Sequence, residues 1–289
     1  MKVRKAVIVA AGLGTRMLPF SKVVPKELLP VVDTPAIQLV VEEAARSGIE
    51  EIIFVISPGR TLAVEHLQRD PALESHLAER GKTELLKRLD RITKLNVKFT
   101  VVEQTVPLGL GHAVLCAREA VGGETFAAML PDDIFDGDKP CLLQLMEVAE
   151  RESAPVIALL KVAPSEVSKY GIVAVQPGGN RMHRIVAMVE KPAPENAPSD
   201  LAVMGRYILP PEIFAMLADG RPGTGGEIQL TDSLAALARG GPFYGYEFEG
   251  TRHDLGDPLG FLTAQVDFGL KRADLADRFR AYLKSVISS

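Results

Sequence analysis

Apolar and polar positions alternate along the chain in blocks that predict strands and helices in turn. "KAVIVA" (residues 5–10) is a β-branched apolar run that stops at the glycines of "AGLGTR", as a buried strand does. About 20 residues follow to Asp33, too rich in Pro and Gly for a helix, and a loop of that length usually carries function. "DTPAIQLVVEEAARSG" reads as a helix, with Ile37, Val40, Val41, Ala44 and Ala45 on one face. Asp33 or Thr34 is placed to cap it, Pro35 suits its first turn and Gly48 its end. "EEIIFVIS" is a second strand.

The alternation continues through "NVKFTVVEQ" (strand), "LGHAVLCAREAV" (helix), "TFAAMLPDDIF" (strand ending in acids), "PCLLQLMEVAERE" (helix) and "APVIALLKV" (strand). This predicts an α/β fold with a mostly parallel sheet and helices on both faces. Ligands of such sheets gather at the carboxyl ends of the strands. Beyond residue 160 the pattern turns antiparallel. "YGIVAVQPGGNRMHRIVAMVEKP" is a hairpin around "PGGN", "SDLAVMGRYILPPEIFAML" a strand then a helix, "GEIQLTDSLAALARG" a helix and "PFYGYEFEG" a strand. From about residue 258 the chain is helical. The expected organisation is a single domain over 1–289 with an inserted antiparallel lobe. "EKPAPENAPSD" is a surface loop rather than a linker.

Composition narrows the function classes. The 289 residues are 47% hydrophobic and 24% charged, a soluble globular balance. The net charge of −4 gives no basic excess for a nucleic-acid partner. The sequence lacks the long apolar stretch of a membrane span. The charged-then-apolar start is too short for a signal peptide and has no cleavage site, so a cytoplasmic protein is expected. Cys116 and Cys141 are expected to be reduced, inert packing residues.

Four places carry candidate chemistry. The first loop holds Gly12, Gly14, Thr15, Arg16, Lys22, Lys26 and Glu27. Met17 stands where a dinucleotide fingerprint needs its third glycine, and no P-loop motif is present. The loop is a phosphate cradle, with a forked Arg and a point-charge Lys, or else a tight turn with solvated cations. Asp132 and Asp133 end a buried strand, where carboxylates can hold Mg²⁺ or simply form a turn. Glu190 and Lys191 follow the hairpin, as a site or as an exposed strand end. His253, Asp254 and Gly256 form a fourth cluster, poor as a zinc set. His112 reads as a core or capping residue; His66, His76 and His183 read as surface residues. There is no G-x-S-x-G, and neither cysteine has an evident base, which suits a reaction whose nucleophile arrives already ionised.

The motifs "AAGLGTRMLP" (10–19), "PKELLPVVDTPAIQLVVEEA" (25–44), "GLGHAVLCA" (109–117), "LPDD" (130–133), "YGIV" (170–173), "VEKP" (189–192), "VMGRYIL" (203–209), "GEIQLTD" (226–232) and "HDLG" (253–256) together closely resemble one family. It is the bacterial UTP–glucose-1-phosphate uridylyltransferases, or UDP-glucose pyrophosphorylases, of the sugar nucleotidyltransferase superfamily. The similarity spans nearly the whole chain. "PKELLPVVDTP" with "GLGHAVLCA" and "GEIQLTD" points to the uridylyl rather than the thymidylyl branch.

The resemblance implies a Rossmann-like mixed sheet, with a nucleotide-binding half (about 1–160), a sugar-binding half (about 161–257) and a C-terminal helical segment that could be an oligomer contact. It implies UTP and glucose 1-phosphate as substrates, UDP-glucose and pyrophosphate as products, Mg²⁺ as cofactor, and a cytoplasmic homodimer or homotetramer without nucleic-acid or membrane partners. Ala11, Gly12, Gly14 and Glu27 would belong to the nucleotide site, with Arg16 and Lys26 on the triphosphate. Gln104 and Gly109 match positions at the base. Asp132 matches a metal-binding acid and Asp254 its distant partner. Gly171, Glu190 and Gly205 match sugar contacts, and Lys191 matches the lysine on the sugar phosphate. Asp133 and His253 have no firm match. Nucleotidyl transfer with another base or sugar, or a non-catalytic sugar-nucleotide sensor, are the alternatives.

Overall fold

The computed structural model describes residues 2–220 and 226–287. The chain runs β1 (Lys5–Ala10), β2 (Pro30–Val31), β3 (Thr34–Pro35), α1 (Ala36–Arg46), β4 (Glu51–Ile56), α2 (Leu62–Glu65), α3 (Pro71–Glu79), α4 (Thr83–Thr93), β5 (Lys98–Glu103), α5 (Leu110–Cys116), α6 (Arg118–Val121), β6 (Phe126–Met129), β7 (Asp133–Asp136), α7 (Cys141–Glu152) and β8 (Val156–Lys161). It continues through β9 (Gly171–Pro177), β10 (Met182–Glu190), β11 (Leu201–Leu209), α8 (Ile213–Ala218), α9 (Leu230–Gly240), β12 (Tyr244–Glu247), β13 (Thr251–Asp254), α10 (Pro258–Lys271) and α11 (Ala276–Ile287).

Among the described residues, nine strands form one mixed sheet in the order β5-β4-β1-β6-β11-β8-β12-β10-β9. β5, β4, β1 and β6 are mutually parallel. β11 runs antiparallel to both β6 and β8 and joins the two halves. The β9–β10 hairpin expected as an inserted lobe is hydrogen-bonded through β12 into the same sheet. Period-two alternation divides the strand side chains between two cores. Ala6, Ile8, Ile52, Phe54 and Met129 pack with the apolar stripes of α1 and α7. Val7, Ile53, Val55, Phe126 and Ala128 pack with α5, α8 and α9 on the other face. Burial on both faces explains why these strands read as unbroken apolar runs.

Local details depart from the sequence reading. The cap position of α1 is Pro35, without a side-chain cap bond. Asp33 instead pairs with Arg272 at 2.7 Å and Arg88 at 3.6 Å, ion pairs to distant elements that compete with local capping. The long first loop is folded into short 3-10 turns at Thr15–Met17, Phe20–Lys22 and Lys26–Leu28. The "TFAAMLPDDIF" strand splits at Pro131 into β6 and β7. α9 starts only at Leu230, because Ile228 bonds through both backbone groups to the Leu108–Gly111 segment. Residues 57–97, silent in the apolar pattern, form α2 to α4, of which α4 buries only Ile92. His183 is not a free surface group: its Nε2 lies 2.7 Å from Glu247. His66 is likewise half-buried against Gln38. Both cysteines are free thiols.

Candidate active site

The carboxyl ends of the parallel strands share one edge of the sheet. After β1, Ala11 accepts a hydrogen bond through its carbonyl from Ser57 Oγ (2.9 Å) at the end of β4. Gly14 turns the loop with φ 66° and ψ 33°. A Cβ there would sit 3.2 Å from the side chains of Ser21 and Lys26, so glycine permits both the turn and the packing. Ser21 Oγ donates to the Gly14 carbonyl at 2.7 Å and fixes the bend. The loop is thereby laid along the stem of Lys26, whose Cε would be 3.6 Å from a Cβ at Gly12.

Lys26 Nζ reaches Asp132 Oδ2 at 2.5 Å, bridging the first loop and the end of β6. Burial pushes the Lys26 ammonium down, but the Asp132 carboxylate beside it outweighs that, so it is held above the usual lysine value. Burial works on Asp132 in the opposite sense and is outweighed by Lys26 and Arg16, which hold it below the usual carboxylate value. Arg16 is the exposed partner: its side chain is 62% exposed, 4.0 Å from Asp132 and 3.7 Å from Asp254.

Asp254 arrives from far along the chain on a two-stranded ribbon. β13 pairs antiparallel with β7 so that Asp254 stands opposite Asp133, and the Leu255 N–H donates to the Asp132 carbonyl at 2.8 Å. A Cβ at Gly256 would lie 2.7 Å from Arg16 Nη2, 3.0 Å from Asp132 Oδ2 and 3.1 Å from Asp254 Oδ1, so both carboxylates and the guanidinium border one point. Arg252, two residues before Asp254 and on the same strand face, grips Asp133 Oδ1 (Nε at 2.8 Å) and lies 3.3 Å from Asp254. Its Nη1 also donates to the Tyr170 hydroxyl at 3.1 Å. Burial, with Asp132 and Asp254 adding to it, raises the Asp133 carboxyl despite Arg252. Asp133 is structural here: its Oδ2 accepts from the Gly205 N–H at 2.8 Å, where β11 slips register against β8. A Cβ at Gly205 would come within 2.6 Å of that oxygen.

The acids, Arg16, Lys191, Gly205 and Arg252 line a cavity of about 830 Å³. A recess of about 130 Å³ between Gly14, Lys26 and Gly256 adjoins the same Arg16 and Asp132. Gly171 and Glu190 face each other across β9–β10, and Thr231 Oγ1 donates to Glu190 Oε2 at 2.6 Å. Lys191 has φ 45°, with its N–H donating to the Tyr170 carbonyl, and its Nζ is 3.4 Å from Glu190. Gln104 and Gly109 join at the end of β5, Gln104 Nε2 donating to the Gly109 carbonyl at 3.1 Å. They lie outside the lining of the large cavity, as do Ala11, Gly12, Glu27, Gly171 and Glu190. The ring of His253 packs against Phe268 instead of joining the acids, since alternation along β13 turns it from the face of Arg252 and Asp254.

Glu27 is 2% exposed, and its Oε1 has no hydrogen-bond partner. Burial pushes its carboxyl up to about 7 from 4.5, against the pull of Lys26. Between those values the folded state binds more proton than the unfolded, so its contribution is full below about pH 4.5 and is lost as pH rises through about 7. Glu27→Gln is therefore expected to gain on the order of 2 kcal/mol over the parent at pH 8 and nearly nothing at pH 4.5. Urea unfolding at the two pH values checks it; equal effects at both would refute it.

The sequence reading missed Arg252, Tyr170 and the buried pair Arg206–Glu43 (Nη2 to Oε2, 2.7 Å). Arg206 donates to the carbonyls of Leu130, Gly205 and Asp133 and so braces the acidic loop. Arg252 was available from the two-residue spacing that places it beside Asp254 on one strand face.

The mixed sheet thus brings two carboxylates, a lysine and an arginine to the glycine loop. The sequence matches the nucleotidyl transferase family over residues 5–269, and the chain belongs to that family. A UTP–glucose-1-phosphate uridylyltransferase of Bacillus subtilis is 47% identical over 287 residues, 99% of this chain and 96% of the relative. One from Streptococcus pneumoniae is also 47% identical, over 98% of this chain and 95% of its own. Among solved structures, a UDP-glucose pyrophosphorylase complexed with UDP-glucose aligns at TM-score 0.87 and 36% identity, covering 94% of this chain and all of that one. The UTP-bound enzyme of Acinetobacter baumannii aligns at 0.89 and 38%, covering 98% and 99%.

Proposed function

We propose that the protein transfers a uridylyl group from UTP to glucose 1-phosphate, giving UDP-glucose and pyrophosphate. The observation that carries the reading is the convergence of Asp132 and Asp254, from distant strands, on one point flanked by Lys26 and Arg16. The printed names of full-length relatives support the choice of substrates.

A phosphate oxygen of glucose 1-phosphate attacks the α-phosphorus of UTP in line, and the bond to the β-phosphate oxygen breaks. The nucleophile is already ionised, so no side chain need take a proton. The obstacle is charge: two unit anions at 4 Å repel by about 4 kcal/mol at an effective dielectric near 20. Lys26, held beside Asp132, binds the triphosphate as a point charge, and exposed Arg16 closes on it as a fork. Lys191 and Gly205 line the cavity, Lys191 to hold the sugar phosphate, and Glu190 paired with Gly171 beside Lys191 completes the sugar side. Asp132 and Asp254 are the all-oxygen pair that would hold a hard divalent cation such as Mg²⁺, with substrate phosphate oxygens completing its shell and Arg16, whose Nη2 is the atom nearest the point between them, turned to the phosphates. When bound at Asp132 and Asp254, the metal supplies neutralisation of the phosphate charge.

Catalysis is then positioning and electrostatics. Pyrophosphate release across a matrix of UTP, dTTP and CTP with several sugar 1-phosphates tests the assignment. UTP with glucose 1-phosphate is expected to give the highest kcat/KM, and preference for another pair would overturn it. Lys191→Ala is expected to raise the KM for glucose 1-phosphate about tenfold or more and that for UTP much less. Equal effects on the two KM values would remove Lys191 from the sugar phosphate.

A further inference from the structure

Three cations meet Asp132 and Asp254, and they are held unequally. The Lys26 side chain is 16% exposed and contacts Asp132 at 2.5 Å, with its stem against Gly12 and Gly14. Arg252 is 10% exposed, lies 3.3 Å from Asp254 and is anchored on Asp133 and the Tyr170 hydroxyl. Arg16 is 62% exposed, and its contacts at 4.0 and 3.7 Å are too long for hydrogen bonds. Charge alone keeps it beside the acids. Yet its Nη2 is the atom nearest the point that both carboxylates border, 2.7 Å from a Cβ built on Gly256. A guanidinium is never deprotonated in a protein, so Arg16 cannot give up that point by losing its charge. It gives it up only by moving, and of the three cations it is the one that neither packing nor hydrogen bonds detain.

We propose that Arg16 is a place-holding residue: it balances Asp132 and Asp254 until a nucleoside triphosphate draws it off, and so bars the point between them to a divalent cation that comes without nucleotide. The proposal rests on the reading of those two acids as the metal pair. Arg16 and a cation cannot share the point, because like charges a few ångströms apart repel strongly. A triphosphate offers the fork a bidentate partner of higher charge than either carboxylate. Turning to it uncovers the acids just when phosphate oxygens are there to complete a cation's shell. Loss of Arg16 therefore has two opposite effects. Triphosphate binding weakens because the phosphates lose their fork. Divalent-cation binding without nucleotide tightens because the competitor is gone. A residue that merely kept the loop folded would weaken both when removed.

The test is Mn²⁺ binding to the full chain without nucleotide, read from the electron paramagnetic resonance signal of the free ion, beside steady-state kinetics. Arg16→Gln is expected to bind Mn²⁺ about tenfold or more tightly than the parent and to raise the KM for UTP about tenfold or more. Arg16→Met, also neutral, is expected to repeat both changes. Lys22→Gln removes the same charge from the same loop, at a residue that lines neither the large cavity nor the adjoining recess. Its Mn²⁺ affinity is expected to stay within about twofold of the parent. Adding Asp254→Asn to Arg16→Gln is expected to abolish the gain. Parent-like Mn²⁺ binding in the Arg16 variants, or an equal gain in Lys22→Gln, would overturn the place-holding role alone. The metal pair then stands or falls separately, on whether Asp254→Asn raises the Mn²⁺ concentration needed for half-maximal turnover. A gain that Asp254→Asn does not remove would lie at another site, and would overturn the metal pair and the proposal with it.

Discussion

Asp132→Asn is expected to lower kcat by about 10²–10³-fold at saturating UTP, glucose 1-phosphate and Mg²⁺, the scale on which loss of one charge-stabilising group is felt. The side chain keeps its shape but loses three relations at once. It is the carboxylate that Lys26 contacts at 2.5 Å, the nearer acid to Gly256, and one of two that Arg16 approaches. Asn can still accept from Lys26, so the loop should remain in place. The cation and the buried ammonium would then no longer be balanced. Near-normal turnover in a variant whose near-UV spectrum matches the parent would remove Asp132 from the reaction.

Arg206→Leu is the largest expected effect on stability. The guanidinium is fully buried, shares Glu43 through Nε and Nη2, donates to three carbonyls and lies 4.6 Å from the Phe135 ring. Removing one partner of a buried pair leaves the other charge uncompensated, at a cost of about 3–5 kcal/mol. Urea unfolding reads it. The double substitution Arg206→Leu with Glu43→Leu should recover much of the loss, since the orphaned carboxylate goes with its partner. A single-variant cost below about 1 kcal/mol would show that the pair is not what braces the acidic loop.

The sequence was legible where burial is two-sided or periodic. β1, β4, β6 and β8 stand out as apolar runs, and α1 and α7 as stripes. It was illegible where a residue's role depends on a distant partner. Arg206 and Glu43 are 163 positions apart and each reads alone as a polar position in an apolar element. Asp33 looks like a helix cap until Arg272 and Arg88 are placed beside it. Asp132 and Asp254 each sit in a recognisable motif, yet their meeting depends on the β7–β13 ribbon, whose register no local pattern announces. That pairing is what the family resemblance implies, and in the structure the two carboxylates border one point together with Arg16 Nη2.

The account rests on the sugar phosphate itself being the nucleophile, with the protein supplying charge and position. The stereochemistry at the α-phosphorus tests this directly, using one diastereomer of UTP carrying sulfur on that atom. A single in-line displacement predicts UDP-glucose of inverted configuration. Retention would mean two displacements through a uridylylated side chain and would contradict the account.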